Sequence, residues 1–257
     1  MRVGKVKHTI KETNMTEKLN EHNAINVLDK IYELAVNGKG PICPVEDLAK
    51  DYLLGLDPQR IAASNDCELS DAIKRAIKSM QNKQIAKCTA SGFITGFGGL
   101  ITLPVTIPAN ISSVLYVQMR MIACTAYMAG YDIHSDQVKT LIYCCLVGLS
   151  TSNIVKHVGI KFATKCAQAG IKKIPGKVII KINQKVGFRF ITKFGSKGLV
   201  NLGKMIPVVG AIVSGGFDFA ETKVIANRAY TNFVNGDFSQ GERLDDSDIF
   251  DAEFEEE

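Results

Sequence analysis

Apolar positions recur at helical spacing along much of the chain. Leu19, Ile25, Leu28, Ile31 and Ala35 form one such series, which stops before Gly38, the expected C-cap. Pro44 is expected in the first turn of a short helix ending near Gly55, and Asp57-Pro58 as N-cap and N1 of another. Ser70 is placed to cap a longer helix through Ala72, Ile73, Ala76, Ile77 and Met80. Nothing stops that helix before the glycines at 92–99, and Pro104 breaks it. Pro104 and Pro108 bracket a tight connection to a second apolar helix from about Asn110 to Ala129, ended by Gly130. Ser135 or Asp136 caps a helix through Val147, and Thr151 or Ser152 another towards Gly170. Pro207 stands near the start of a last long helix carrying Asp218, Arg228 and Phe233.

The stretch 176–197 fits two patterns. Lys177, Lys181, Lys185, Arg189, Lys193 and Lys197 recur every four residues, with Val178, Ile182, Val186, Phe190 and Phe194 one step behind. Period four fits a helix whose stripe drifts by about 40° per step. The even positions 178, 180, 182, 186, 188, 190 and 194 are also all apolar, and Ile, Val and Phe suit strands. The pattern alone therefore leaves a helix and a β-hairpin open.

A run without any charged side chain extends from Cys88 to Met119. It is long enough to span a bilayer, but it is rich in Thr, Ser and Gly and holds Pro104, Pro108 and Asn110 in its middle. Three readings compete: a two-span hairpin, a buried hairpin forming a soluble core, and a hairpin that packs in solution and docks at a bilayer. Gly92, Gly96 and Gly99 share one helical face, and Gly210 and Ser214 give the last helix a similar small face. Such faces let two backbones approach closely, which compensates the cost of glycine within a helix.

Charge separates what composition averages. The chain has 257 residues and a net charge of +5, with apolar and charged fractions near those of an ordinary globular domain. Residues 1–71 carry −3, residues 72–217 carry +17, and residues 236–257 carry −9. The last segment interleaves Phe238, Ile249, Phe250 and Phe254 among ten acids, and reads as a solvated tail or as a mask for the basic region anchored by its aromatic residues. Thirteen lysines and arginines lie between 137 and 217 with no acid among them, a surface that calls for an anionic partner. Anionic lipid headgroups, or a membrane-protein partner, fit it better than nucleic acid, because stacking aromatics are few and no recognition module is visible.

Candidate chemistry is sparse. Gly198 to Lys204 matches the start of a phosphate loop, but Met205 stands where a magnesium-ligating Ser or Thr belongs. Gly96-Phe97-Gly98-Gly99 lacks the third glycine of a dinucleotide fingerprint. The four histidines are widely separated and no C-x-x-C occurs, so no metal site, cofactor or catalytic residue is assigned, and the seven cysteines are expected to be small buried thiols. Met1–Ile10 is basic with no apolar core after it, so a secretory signal is not expected, and the expected location is cytoplasmic with peripheral membrane association. Asp218 and Glu221, three residues apart, are the alternative acid/base pair of a hydrolase of unknown substrate. Arg120 is the one charge between 88 and 131 and needs a partner if its helix is buried; Asp218 is expected to supply it.

Several of these segments are familiar together. LPVTIP at 103–108, MRM around Arg120, PVVGA at 207–211 and GGFDF at 215–219 resemble the EcsC protein family, over roughly residues 70–235. The resemblance implies a bacterial intracellular protein that is mainly helical and lies near membranes, and it favours a helix at 176–197. The family's namesake is encoded beside the ATPase and membrane subunits of an ABC transporter. The family has no established reaction, cofactor or catalytic residue, so it assigns no site residue to this chain. The expected architecture is an all-α multi-helix bundle around a glycine-rich apolar hairpin at about 88–130. An amino-terminal helical region at 1–69 precedes the EcsC-like domain at 70–235, and an acidic disordered tail at 236–257 follows. The expected lipid- or partner-binding face is Lys173, Lys177, Lys181, Lys185, Arg189, Lys193 and Lys197.

Overall fold

A computed structural model describes residues 21–56, 70–89, 109–153, 171–194 and 213–244, without the side chains of 21–22, 89, 109–112 and 213–219. Among the described residues the fold is all-α, as expected. Its helices are α1 (Glu21–Asn37), α2 (Val45–Leu53), α3 (Asp71–Thr89), α4 (Ala109–Met128), α5 (Asp136–Val147), α6 (Gly176–Phe194) and α7 (Val213–Ala229). Local chemistry sets their ends. Gly38 stops α1 at φ +70°, where a Cβ would run into the Ile42 carbonyl oxygen, so only glycine fits. Pro44 sits just before α2 rather than inside it, and Glu46 and Asp47 face the positive end of that helix. The Ser135 hydroxyl accepts the Val138 N–H to cap α5. Asp57-Pro58, the glycines at 92–99 and the helix expected from Thr151 towards Gly170 lie mainly or wholly outside the described residues.

The most uniformly apolar described helix takes the centre. From Leu115 to Cys124 every residue of α4 is buried, and α1, α2, α3, α5 and α7 all pack against it. α3 lies along α7, and α6 lies across α1 and α5. α1 and α2, expected in a region of their own, join the same continuous core. Polar side chains tie this core internally. Gln81 on α3 donates to the Thr125 hydroxyl at 3.1 Å and to the Ala226 carbonyl at 3.0 Å, and Gln118 on α4 donates to Thr222 on α7 at 3.0 Å.

Residues 230–244, after α7, stay on the body. A single π-helical turn, Tyr230–Val234, leads to Phe238, which is 1% exposed and meets Phe233 edge-to-face at 5.8 Å. The Phe238 carbonyl accepts the Ser150 hydroxyl at 3.0 Å and the Thr151 N–H at 3.1 Å. A short strand β1 (Leu149–Ser150) then pairs in parallel with β2 (Glu242–Arg243). Gly241 makes this possible. Its φ is +121°, and a Cβ there would lie 2.5 Å from the Gly148 carbonyl oxygen. Residues 236–244, placed by their charge in a disordered tail, are thus folded as a strap ending at the buried Leu244.

Candidate functional site

α6 is a helix, which settles the choice left open by its pattern. Val178, Ile179, Ile182, Val186, Phe190 and Phe194 are buried against the body. The hairpin reading fails because the even-position apolar series does not share one side. Ile180 is 60% exposed and Phe188 57% exposed, while their even-numbered neighbours are buried.

The four-residue basic row then divides by geometry. Each step advances about 40° around the helix, so five lysines and arginines sweep about 160° from first to last. Lys177 is exposed, and Lys181 and Lys185 are half-buried. Phe188 stands within their arc and Ile180 about 60° outside its Lys177 edge, so cationic and exposed apolar side chains adjoin. Further round, the drift carries the last two members to the edge of the body. There Arg189 pairs with Glu242 of β2 at 2.6 Å and Lys193 pairs with Glu221 of α7 at 2.7 Å. Lys193 also donates to the Leu146 carbonyl at 3.3 Å. Lys173 is exposed just before α6, and Lys197 lies outside the described residues. Of the face expected from sequence, Arg189 and Lys193 brace neighbouring elements, while Lys173 and Lys177 are exposed and Lys181 and Lys185 half-buried. Ile180 and Phe188 were the members missed, although a helical wheel of the segment places both beside the lysines.

The other expected site residues resolve differently. Gly92, Gly96, Gly99 and Gly210 lie outside the described residues, as does the side chain of Ser214. The described half of the apolar hairpin, α4, is core. Among the described residues no helix is long and apolar enough to cross a membrane. Glu221, the described member of the alternative acid/base pair, is mostly buried beside Lys193.

Arg120 has partners of another kind. It donates to the Ala35 carbonyl at 2.8 Å and to the Cys43 carbonyl at 2.6 Å, with the Cys43 sulfur 3.2 Å away. Arg120 sits two residues, about 200°, beyond Gln118, which meets α7, so it faces α1 and the start of α2 instead. The side chain of Asp218 is outside those described, and the expected Arg120–Asp218 pair with it. Arg120→Met should lower stability by about 2 kcal/mol in urea unfolding, because the buried Ala35 carbonyl loses a charged donor. A change under about 0.5 kcal/mol would mean that these carbonyls are already hydrated.

Of the five cysteines among the described residues three are buried and Cys88 is half-buried. Cys124, Cys144 and Cys145 are buried, and burial pushes the Cys124 and Cys145 thiols up to about 12. Cys43 is exposed, against the expectation of a buried thiol. Among the described residues no group of three or more His, Cys, Asp or Glu side chains is arranged to hold a metal ion.

Residues 8–233 match the EcsC protein family. The chain belongs to that family. The EcsC match begins well before residue 70, the start of the resemblance read from the sequence, and so takes in α1 and α2, which pack against α4. No curated protein and no solved structure matches the chain.

Proposed function

We propose that this EcsC-family chain associates, without catalysis, with an anionic membrane surface through the outward arc of α6, as an accessory to lipid handling or to a membrane transporter. The supporting observation is the arc of Lys177, Lys181 and Lys185 with the exposed Phe188 within it and the exposed Ile180 beside its edge. Lysines alone suit any polyanion. Two large apolar side chains held out among them suit an interface whose headgroups are charged and whose next layer is not. Each lysine near such a surface contributes about 1 kcal/mol. Withdrawing the exposed parts of Ile180 and Phe188 from water adds about 1 kcal/mol each. The association is accordingly weak, reversible and sensitive to salt. Glu221 and Lys193 brace the flank of α6 in this reading and take no chemical role.

Vesicle flotation tests it. The protein should float with phosphatidylserine-containing vesicles at low salt and with neutral vesicles much less. The triple substitution Lys177→Gln, Lys181→Gln, Lys185→Gln should weaken binding about a hundredfold, the equivalent of about 3 kcal/mol. Its thermal midpoint should fall by a few degrees at most, since these side chains lie outside the core and surface pairs contribute about 1 kcal/mol or less. Absence of binding to anionic vesicles at low salt, in the presence and absence of residues 245–257, sinks the proposal.

A further inference from the structure

We propose that the exposed, uncharged row of α6, Ile180, Gln184, Phe188 and Thr192, makes the first contact with a bilayer and seats in gaps of its headgroup packing, so that the chain selects curved or loosely packed membranes; this rests on the membrane reading above and names which membrane it applies to. Rows of side chains four residues apart run along a helix. In α6 the row Val178, Ile182, Val186, Phe190 and Phe194 is core. The cationic row beside it is exposed at Lys177 and half-buried from Lys181 to Lys193. On the other side of that cationic row, Ile180, Gln184, Phe188 and Thr192 are exposed at all four positions. Beyond its first turn, the row that α6 exposes most therefore carries no charge.

Charge complementarity names the occupant. Lys181 adjoins this row, and Lys172 and Lys173 are exposed just before the helix. Glu242 and Glu221 are held by Arg189 and Lys193, which stand about 100° and 140° round the helix from Phe188, so both carboxylates are kept on the far flank. Anionic headgroups over an apolar layer match the cations and the apolar side chains at once, whereas a uniformly acidic protein face leaves Ile180 and Phe188 unmatched. The form of the row sets the kind of bilayer. Ile180 and Phe188 lie two turns, about 12 Å, apart with Gln184 between them, so they enter as separate wedges and not as a continuous apolar stripe. Two wedges of this size use gaps that are already there, which strong curvature and small headgroups supply. Thr192 sinks at the end of the row without stranding a donor, because its hydroxyl already donates to the Arg189 carbonyl at 2.9 Å.

The chain has no tryptophan, so Phe188→Trp in the full chain gives a single fluorescent reporter. Its emission should shift to the blue with phosphatidylserine-containing vesicles and be quenched by lipids brominated along the acyl chain. Affinity for small, sharply curved vesicles should exceed that for large ones of the same lipids by about three- to tenfold. Ile180→Ser together with Phe188→Ser should bring that ratio down to about one. The thermal midpoint of this double variant should stay within a few degrees, since both side chains are exposed. Flotation of the reporter with unshifted and unquenched emission, or equal affinity for both vesicle sizes, overturns the inference and leaves the charged-surface reading standing. A size preference that survives the double substitution puts the insertion elsewhere in the chain and also overturns it. Absence of flotation with every vesicle removes the membrane reading and the inference with it.

Discussion

Truncating Phe238 to Ala should cost about 3–5 kcal/mol of stability, as expected for removing a fully buried aromatic ring. The ring lies against Phe233, which in turn meets Tyr131 edge-to-face at 5.3 Å, so the strap, the π-helical turn and the end of α4 share one aromatic cluster. The loss should not stop at a cavity. The Phe238 carbonyl holds Ser150 and Thr151, and the Glu242 N–H donates to the Gly148 carbonyl at 2.9 Å. When the ring no longer holds the strap down, those hydrogen bonds lose their register too. Urea unfolding of Phe238→Ala at neutral pH measures this directly. A change below about 1 kcal/mol would return residues 236–244 to the solvated tail that their charge suggests. The same argument says that ending the chain at 236 removes part of the core.

Why charge misplaced that boundary is plain from the residues. Between 236 and 244 the sequence offers Phe238 and Leu244 among Asp237, Glu242 and Arg243, too few apolar residues to suggest a packed segment. The segment folds because its partners are already assembled: a ring pocket beside Phe233 and an exposed edge at Leu149–Ser150. Such long-range supports leave no periodic trace. The helices, in contrast, were legible because their signals are local. Ser135, Gly38, Gly130 and the apolar spacing of 115–124 act within a turn or two of themselves. At α6 the spacing alone was ambiguous, since any series of period four also has period two. Burial separates the cases, and burial depends on α1 and α5.

The candidate site was half legible for the same reason. The lysines of α6 stand out in a region without acids, and their drift around the helix follows from 3.6 residues per turn. That Lys193 and Arg189 reach carboxylates depends on Glu221 and Glu242, from elements about 30 and 50 residues away in sequence. Arg120 shows the converse. A buried guanidinium needs oxygen atoms, and acids were the visible candidates. Backbone carbonyls at the end of α1 and before α2 serve as well, and no side-chain pattern announces them.

Alkaline pH should unfold this protein earlier than most. Cys124 and Cys145 are fully buried, and desolvation raises their thiols to about 12, opposed by Arg120 at Cys124 and by Arg228 and Lys193 at Cys145. Cys144, Tyr32, Tyr131 and Tyr143 are pushed up by burial as well. An unfolded cysteine titrates near 8.5 and an unfolded tyrosine near 10. In this window the unfolded chain has released protons that the folded chain still holds, so the stability slope with pH is negative. The contribution is complete below about pH 8.5 and is lost as pH rises towards the folded values. Each thiol removes about 1.4 kcal/mol per pH unit over that range, and the tyrosines join above about pH 10. Three thiols alone erase a stability of about 5–15 kcal/mol within a few units. Urea unfolding under reducing conditions, repeated from pH 7 to 11, should show a midpoint that is level to about 8.5 and then falls steeply. Cys145→Ala should make that fall shallower by one thiol's share. A midpoint unchanged up to pH 11, or rapid reaction of Cys124, Cys144 and Cys145 with a thiol reagent in the native protein at neutral pH, would contradict their place at the centre of the fold.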